Sequence, residues 1–214
     1  MITVRIWFTK TGEASYISLL DLQRVMGRSL KRSRLPVWYT LGFNPHIYMT
    51  FASPLSLGQE SLVESVDVKT EDEHPDFEAW KEALNHVMPT GVEVTRVEPA
   101  GMKASLIAFA QYTVRLPGAE SAAAVQAYNA LETAPVEKKS KRGIRTIDLK
   151  ETVQKIEYGQ QGDEIVFQLL LPAGEALNLN PSLFTGFMQD HCGLQSHPSI
   201  LRTALLTKEM KDFA

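Results

Sequence analysis

The segment Gly42-Phe-Asn-Pro-His46 places an aromatic ring, an amide and an imidazole within one predicted turn. Its glycine can adopt backbone angles that other residues avoid, and its proline favours an extended residue before it. Phe43, Asn44 and His46 are therefore candidates to contact a nucleobase or a sharp bend of a nucleic-acid backbone. His46 could alternatively be a general acid or base in RNA cleavage, although the sequence supplies no second catalytic group beside it.

A strongly basic helix precedes this segment. The spacing of apolar residues predicts a helix from Leu19 to Arg34, with Ser18 as its N-cap and Asp21 in its first turn. One side carries Leu19, Leu22, Met26 and Leu30, and the other carries Arg24, Arg28, Lys31 and Arg32. Asp21 is the only acid in the helix. The basic side is either a solvated outer face or a surface that binds phosphates.

A second basic cluster lies between Glu137 and Lys150. Eleven of the 22 Lys and Arg residues fall in this segment and the basic helix, beside only three of the 25 acids. The segment is either a flexible charged loop or a second phosphate contact. Its candidate RNA-binding residues are Lys138, Lys139, Lys141, Arg142 and Arg145, and Lys150 is counted in the same cluster.

Aromatic residues surround the first cluster, and unpaired bases stack on such rings. Packing in strands and core is the alternative for each ring. We expect Tyr39 and Phe43 to be the exposed ones. The full set is Trp38, Tyr39, Phe43, Tyr48 and Phe51.

Composition excludes several function classes. The chain has 214 residues, a formal net charge of −3 and one cysteine, Cys192. A single cysteine permits no internal disulfide or cysteine-held cluster and fits a reducing, cytoplasmic setting. His191, Cys192 and His197 lack a fourth zinc ligand at suitable spacing. The chain has no phosphate loop, no dinucleotide glycine fingerprint and no apolar run near the roughly 20 residues that span a bilayer. We therefore predict no cofactor, no metal and no membrane partner.

The order of predicted elements indicates an α+β fold. Residues 2–9 alternate as a strand with one apolar face, and the first half continues as helix, two strands, helix and strand. The second half repeats this order, with residues 151–158 predicted to pair with 164–171. The sequence thus predicts two tandem ferredoxin-like units with antiparallel sheets, over residues 1–100 and 101–214.

The chain contains the motifs Tyr16-Ile-Ser-Leu-Leu-Asp-Leu-Gln-Arg24, the basic helix, Gly42-Phe-Asn-Pro-His46, Pro54-Leu-Ser-Leu-Gly58 with Glu60-Ser61, and residues 138–149. Together these motifs resemble the radical-SAM-linked domain family, a bacterial family of unassigned function. Its members occur alone or behind a radical SAM protein with a cobalamin-binding-like domain. The resemblance implies a radical SAM partner, because this chain lacks the three cysteines that would hold an iron–sulfur cluster. A weaker, fold-level similarity links the tandem order to CRISPR repeat-processing endoribonucleases.

The leading hypothesis is an RNA-binding accessory module that presents rRNA or tRNA to a radical SAM modification enzyme. In this hypothesis the chain binds and does not itself catalyse, and the two basic clusters share one groove. One alternative is an endoribonuclease or other RNA-processing enzyme that uses His46. The other is a protein–protein adaptor whose basic patches dock an acidic partner.

Overall fold

The computed structural model describes residues 1–140 and 143–214, and these form a mixed α+β structure with mostly antiparallel strand pairing. The predicted α+β class is confirmed. The described helices are α1 (Leu19–Arg32), α2 (Phe77–Asn85), α3 (Ser121–Ala130) and α4 (Pro181–His191). The described strands are β1 (Ile2–Lys10), β2 (Met49–Phe51), β3 (Glu60–Thr70), β4 (Val92–Pro99), β5 (Phe109–Pro117), β6 (Pro135–Ser140), β7 (Gly143–Asp148), β8 (Tyr158–Gln161), β9 (Glu164–Pro172) and β10 (Ser199–Leu206).

The chain divides into two compact units. The first contains residues 1–107 and 202–214, and the second contains residues 108–201. The first unit is therefore not a continuous stretch of chain, since the last 13 residues fold into it. In the described part of the chain, no helix has the length and apolarity needed to cross a membrane.

In the first unit, β1 pairs antiparallel with β3 on one side and with β4 on the other, and β2 pairs with β3. The predicted faces of β1 and α1 meet in the core, which contains Val4, Ile6 and Phe8 from the strand and Leu22, Met26 and Leu30 from the helix. Because the apolar side of α1 is buried here, its basic side is turned away from the core.

Local features of the chain explain where α1 begins and ends. Ser18 is the N-cap, as predicted, and its hydroxyl oxygen accepts a hydrogen bond from the Asp21 amide at 3.1 Å. The helix ends at Arg32, two residues before the predicted end. Arg34 has a φ of 58°, a left-handed conformation that cannot continue a right-handed helix.

The second face of β1 is buried as well, which the alternation of residues did not predict. Arg5 is 1% exposed and Trp7 is 6% exposed. Phe213 covers both, with its ring centre 5.8 Å from that of Trp7 and 4.5 Å from the Arg5 guanidinium carbon. Arg5 also donates two hydrogen bonds, of 2.8 and 3.0 Å, to the Asp67 carboxylate. This burial depends on a residue at the far end of the chain, so no local sequence pattern predicts it.

In the second unit, β9 pairs antiparallel with β5 and β8, and β6 and β7 form a separate hairpin. The predicted strand over residues 151–158 is wrong, because β8 begins only at Tyr158. The Asn129 side chain accepts a hydrogen bond from the Ile156 amide at 2.7 Å and donates one to the Ile156 carbonyl at 2.9 Å. These bonds occupy the backbone groups that a strand ladder would use.

Candidate nucleic-acid interface

The segment that carries Phe43, Asn44 and His46 is a closed loop between two paired residues. Tyr39 and Ile47 form an antiparallel bridge, and the Thr40 amide donates a hydrogen bond to the His46 carbonyl at 2.8 Å. The Thr40 hydroxyl oxygen accepts a hydrogen bond from the His46 amide at 3.1 Å. The same hydroxyl lies 3.0 Å from His46 Nδ1. We call this set of Thr40–His46 contacts the clasp.

Two large apolar side chains lie at the tip of this loop. Phe43 is 99% exposed and Leu41 is 90% exposed, with Gly42 between them at a φ of 122°. The exposure of Phe43 and of Tyr39 agrees with the sequence expectation. Leu41 was not singled out from the sequence. Adjacent exposed apolar side chains at a loop tip are a feature of interaction sites.

Aromatic rings at the base of the loop lie beside lysines. The Lys31 ammonium is 6.0 Å from the centre of the Tyr39 ring. The Lys69 ammonium is 4.7 Å from the Tyr48 ring centre and 5.4 Å from that of Trp38. Lys69 belongs to β3 and reaches these rings because the Trp38 amide donates a hydrogen bond to the Lys69 carbonyl at 2.7 Å. Lys69 was not predicted from the sequence, since only this pairing brings it near the loop.

The basic side of α1 is exposed along its length. Arg24, Arg28, Lys31 and Arg32 all face solvent. Arg24 pairs with Asp21 at 2.8 Å, and both side chains of this pair are more than half exposed. The ion pairs formed among the described residues do not include the other three cations. Because Lys31 also contacts Tyr39, the basic side of α1 and the loop form one continuous surface within the first unit, which we call the basic–aromatic surface.

The imidazole of His46 has a defined position within the loop. Its Nδ1 lies 3.2 Å from the Asn44 carbonyl oxygen, in addition to its contact with Thr40. One ring nitrogen is therefore engaged in holding the loop. This arrangement favours a positioning role for His46, and the residues Asn44 and His46 are both exposed.

The second basic cluster lies on the β6–β7 hairpin. Lys138 and Arg145 are directly opposite each other in the register, so their side chains share one face of the hairpin. Arg145 is exposed, and the Lys138 ammonium donates a hydrogen bond to the Asn178 carbonyl. The backbone of Lys139 pairs with Ile144, whereas Lys141 and Arg142 lie outside the described residues.

Lys150 does not belong to the exposed cluster, contrary to the sequence interpretation. Its side chain is buried, with Nζ donating a hydrogen bond to the Gln154 carbonyl at 2.8 Å and lying 4.3 Å from the Tyr128 ring centre. Burial lowers the pKa of the Lys150 ammonium. The residue anchors the base of the hairpin, because the 3₁₀ turn that contains it (Leu149–Glu151) directly follows β7.

No group of three or more His, Cys, Asp or Glu side chains suited to a metal ion occurs among the described residues. The His191 ring packs against Phe187, with 4.6 Å between the ring centres. Cys192 is buried, and burial raises the pKa of its thiol. Packing therefore explains the positions of both His191 and Cys192 at the end of α4.

Comparison with known proteins places the chain in a family. Residues 3–181 match the family described as uncharacterised proteins conserved in bacteria (DUF2344). The chain belongs to this family. The match spans the basic–aromatic surface and the β6–β7 hairpin, so the DUF2344 family includes both candidate regions. No curated protein matches the chain. The expectation of an uncharacterised bacterial family is thus confirmed, and the comparisons give no evidence of radical SAM linkage or of similarity to CRISPR endoribonucleases.

Proposed function

We propose that this protein is an RNA-binding module and that the basic–aromatic surface is its main binding site. The observation that carries the proposal is the contact between Lys31 of α1 and Tyr39 at the base of the loop. This contact joins a row of exposed cations to an exposed aromatic tip. RNA offers the matching pair of features, namely a phosphate backbone and bases whose faces can stack on rings.

Each part of the surface has a distinct role in this proposal. Arg24, Arg28, Lys31 and Arg32 bind phosphates, and Phe43 stacks on an unpaired base. Stacking of one base on an aromatic side chain contributes about 1–3 kcal/mol. Asn44 and His46 shape the loop and offer polar groups to the base edge or to the bend of the RNA backbone.

The β6–β7 hairpin supplies a second phosphate contact in this proposal. Like charges directly opposite each other on two strands repel, and Lys138 and Arg145 form such a pair. A phosphate bound between them would relieve the repulsion, with the Lys138 ammonium giving up its hydrogen bond to the Asn178 carbonyl. The cations Lys139, Lys141 and Arg142 are proposed, from the sequence alone, to extend this contact.

We further propose that both units are ferredoxin-like and that the RNA is rRNA or tRNA presented to a radical SAM modification enzyme. In support of the fold, the first unit has the order strand, helix, two strands, helix and strand, with β1 between β3 and β4. In the second unit β9 lies between β5 and β8. The partner is proposed from the motif resemblance, and a chain with one cysteine would need the partner to hold the cluster.

Salt-dependent binding tests the RNA proposal. Affinity for a fluorescently labelled structured RNA is measured by anisotropy across a range of salt concentrations. The test variant removes three cations of α1 (Arg28→Gln, Lys31→Gln, Arg32→Gln). The matched control removes three exposed lysines elsewhere in the first unit (Lys103→Gln, Lys208→Gln, Lys211→Gln). Each lost phosphate contact reduces the steepness of the plot of log affinity against log salt concentration by about 0.7. The slope of the test variant should therefore be shallower than that of the wild type by about 2.

The control should retain the wild-type slope, because the same charge is removed outside the surface. Equal losses in both variants would show that net charge alone attracts RNA, and an absence of RNA binding by the wild type would refute the proposal. Retention of an acidic protein partner after nuclease treatment, without RNA affinity, would favour the adaptor alternative.

The endoribonuclease alternative has its own test. Structured RNA is incubated with the wild type, with His46→Ala and with Thr40→Val, which loosens the clasp but keeps the imidazole. Cleavage that is lost only in His46→Ala would establish an enzyme. Binding without cleavage in all three proteins would support the module.

A further inference from the structure

The loop tip carries one more apolar side chain than stacking requires. An exposed aromatic ring is sufficient to stack an unpaired base. Leu41 has no ring, yet it is 90% exposed beside Phe43, which is 99% exposed. Apolar residues of this kind, including Phe and Leu, act as wedges in proteins that insert side chains between base steps and unstack them.

The tip is held in a fixed shape before any ligand binds. The Tyr39–Ile47 bridge and the clasp between Thr40 and His46 close the loop at its base. A side chain presented by an ordered loop loses less conformational entropy on insertion than one on a disordered segment. The ordered loop thus presents both apolar side chains of the tip to solvent.

The surroundings of the tip indicate what it enters. Two lysines, Lys31 and Lys69, lie beside the aromatic rings at its base. Positive charge beside an apolar wedge matches a nucleic acid, whose phosphates lie next to the stacked bases. A duplex interrupted by an unpaired nucleotide costs least to unstack, because one base there already lacks a partner.

We propose that Leu41 and Phe43 form a wedge that inserts into RNA at an unpaired nucleotide flanked by a duplex, separating this nucleotide from its neighbour. The substrate class is therefore RNA with a bulge or a hairpin-loop junction. The inference rests on the proposed RNA-binding function and adds to it a change in base stacking.

The test uses an RNA hairpin with 2-aminopurine, a base whose fluorescence rises when it is unstacked, at the position next to a bulge. Anisotropy of a label at the RNA end reports binding in the same sample. Wild-type protein should raise the 2-aminopurine signal severalfold as it binds. Leu41→Ser is the decisive variant, because it leaves the stacking ring of Phe43 in place. Leu57→Ser, at another exposed leucine of the first unit, is the matched control.

We expect Leu41→Ser to remove at least half of the fluorescence rise, and Leu41→Ser/Phe43→Ser to remove nearly all of it and weaken binding about tenfold. Leu57→Ser should behave as the wild type. The side chains at 41 and 43 are exposed, so urea unfolding of the variants should match that of the wild type.

Each contrary result has a separate meaning. An anisotropy change without a fluorescence rise would overturn the wedge and leave RNA binding intact, whereas no anisotropy change would overturn both. A wild-type fluorescence rise that persists in Leu41→Ser would reduce the site to simple stacking on Phe43. Flotation with anionic phosphatidylserine vesicles that is lost in the double variant would assign the tip to a lipid surface instead.

Discussion

The buried ion pair between Arg202 and Glu64 offers a sharp test of what holds the first unit together. Arg202 is 1% exposed and the Glu64 side chain is 4% exposed. Arg202 also donates hydrogen bonds to the Ser53 carbonyl at 3.1 Å, the Ser53 hydroxyl at 3.2 Å and the Pro54 carbonyl at 3.2 Å. It thereby fixes the start of the loop that runs from Pro54 to Gly58.

Arg202→Met should destabilise the first unit by about 3–5 kcal/mol, because it leaves the Glu64 carboxylate buried without its guanidinium partner. For a chain of this size each kcal/mol lowers the melting temperature by about 2–4 °C, so a fall of about 6–20 °C is expected. Urea unfolding followed by tryptophan fluorescence measures the effect. Trp7, Trp38 and Trp80 all lie in the first unit, so the signal reports this unit alone.

The double variant Arg202→Met/Glu64→Leu tests the contribution of the ion pair apart from that of its neighbours. Replacing both members of a buried ion pair by apolar residues is often neutral or stabilising. Here recovery should be partial, because Glu64 also attracts the buried Lys10 ammonium. Adding Lys10→Met should restore more of the lost stability. A loss below about 1 kcal/mol for Arg202→Met, or a double variant less stable than the single one, would refute this account.

Two further predictions concern the clasp and the buried Lys10. Thr40→Val removes the hydroxyl that contacts His46. The ordered loop conformation should lose about 1 kcal/mol of stability, which weakens RNA affinity about fivefold and leaves global stability nearly unchanged. Unchanged affinity, measured by anisotropy, would contradict this prediction. Burial lowers the pKa of Lys10, so the unfolded chain binds more protons just below pH 10.5, and stability should rise with pH in that range. In Lys10→Met this rise, measured by urea unfolding, should be reduced, and an identical rise would show that Lys10 is not its source.

Features governed by neighbouring residues were predictable from the sequence. The alternation in β1 and the spacing in α1 predicted the core faces, and Ser18 was recognisable as a cap. The exposure of Phe43 followed from its place between Gly42 and Pro45, where no strand or helix period applies. In each case the signal lies within a few residues of the feature it describes.

Features governed by distant residues were not predictable. The burial of Arg5 requires Phe213 from the other end of the chain. The late start of β8 requires the Asn129 side chain, which occupies the backbone groups of Ile156. Lys69 joins the loop only through the pairing of its backbone with Trp38. Tertiary contacts of this kind leave no periodic trace in the sequence.

The buried and exposed cations together explain why counting basic residues overstates a binding surface. Arg5, Lys10, Lys150 and Arg202 are buried, and each donates to a carbonyl or carboxylate oxygen of the protein. Donors already committed in this way would have to break internal hydrogen bonds to bind phosphate. Arg28, Lys31 and Arg32 of α1 face no such cost, because they are exposed and form none of the ion pairs found among the described residues. In the proposed RNA-binding module, electrostatic attraction would therefore depend on where the cations lie, since a chain with a net negative charge can still have a locally positive surface on one helix.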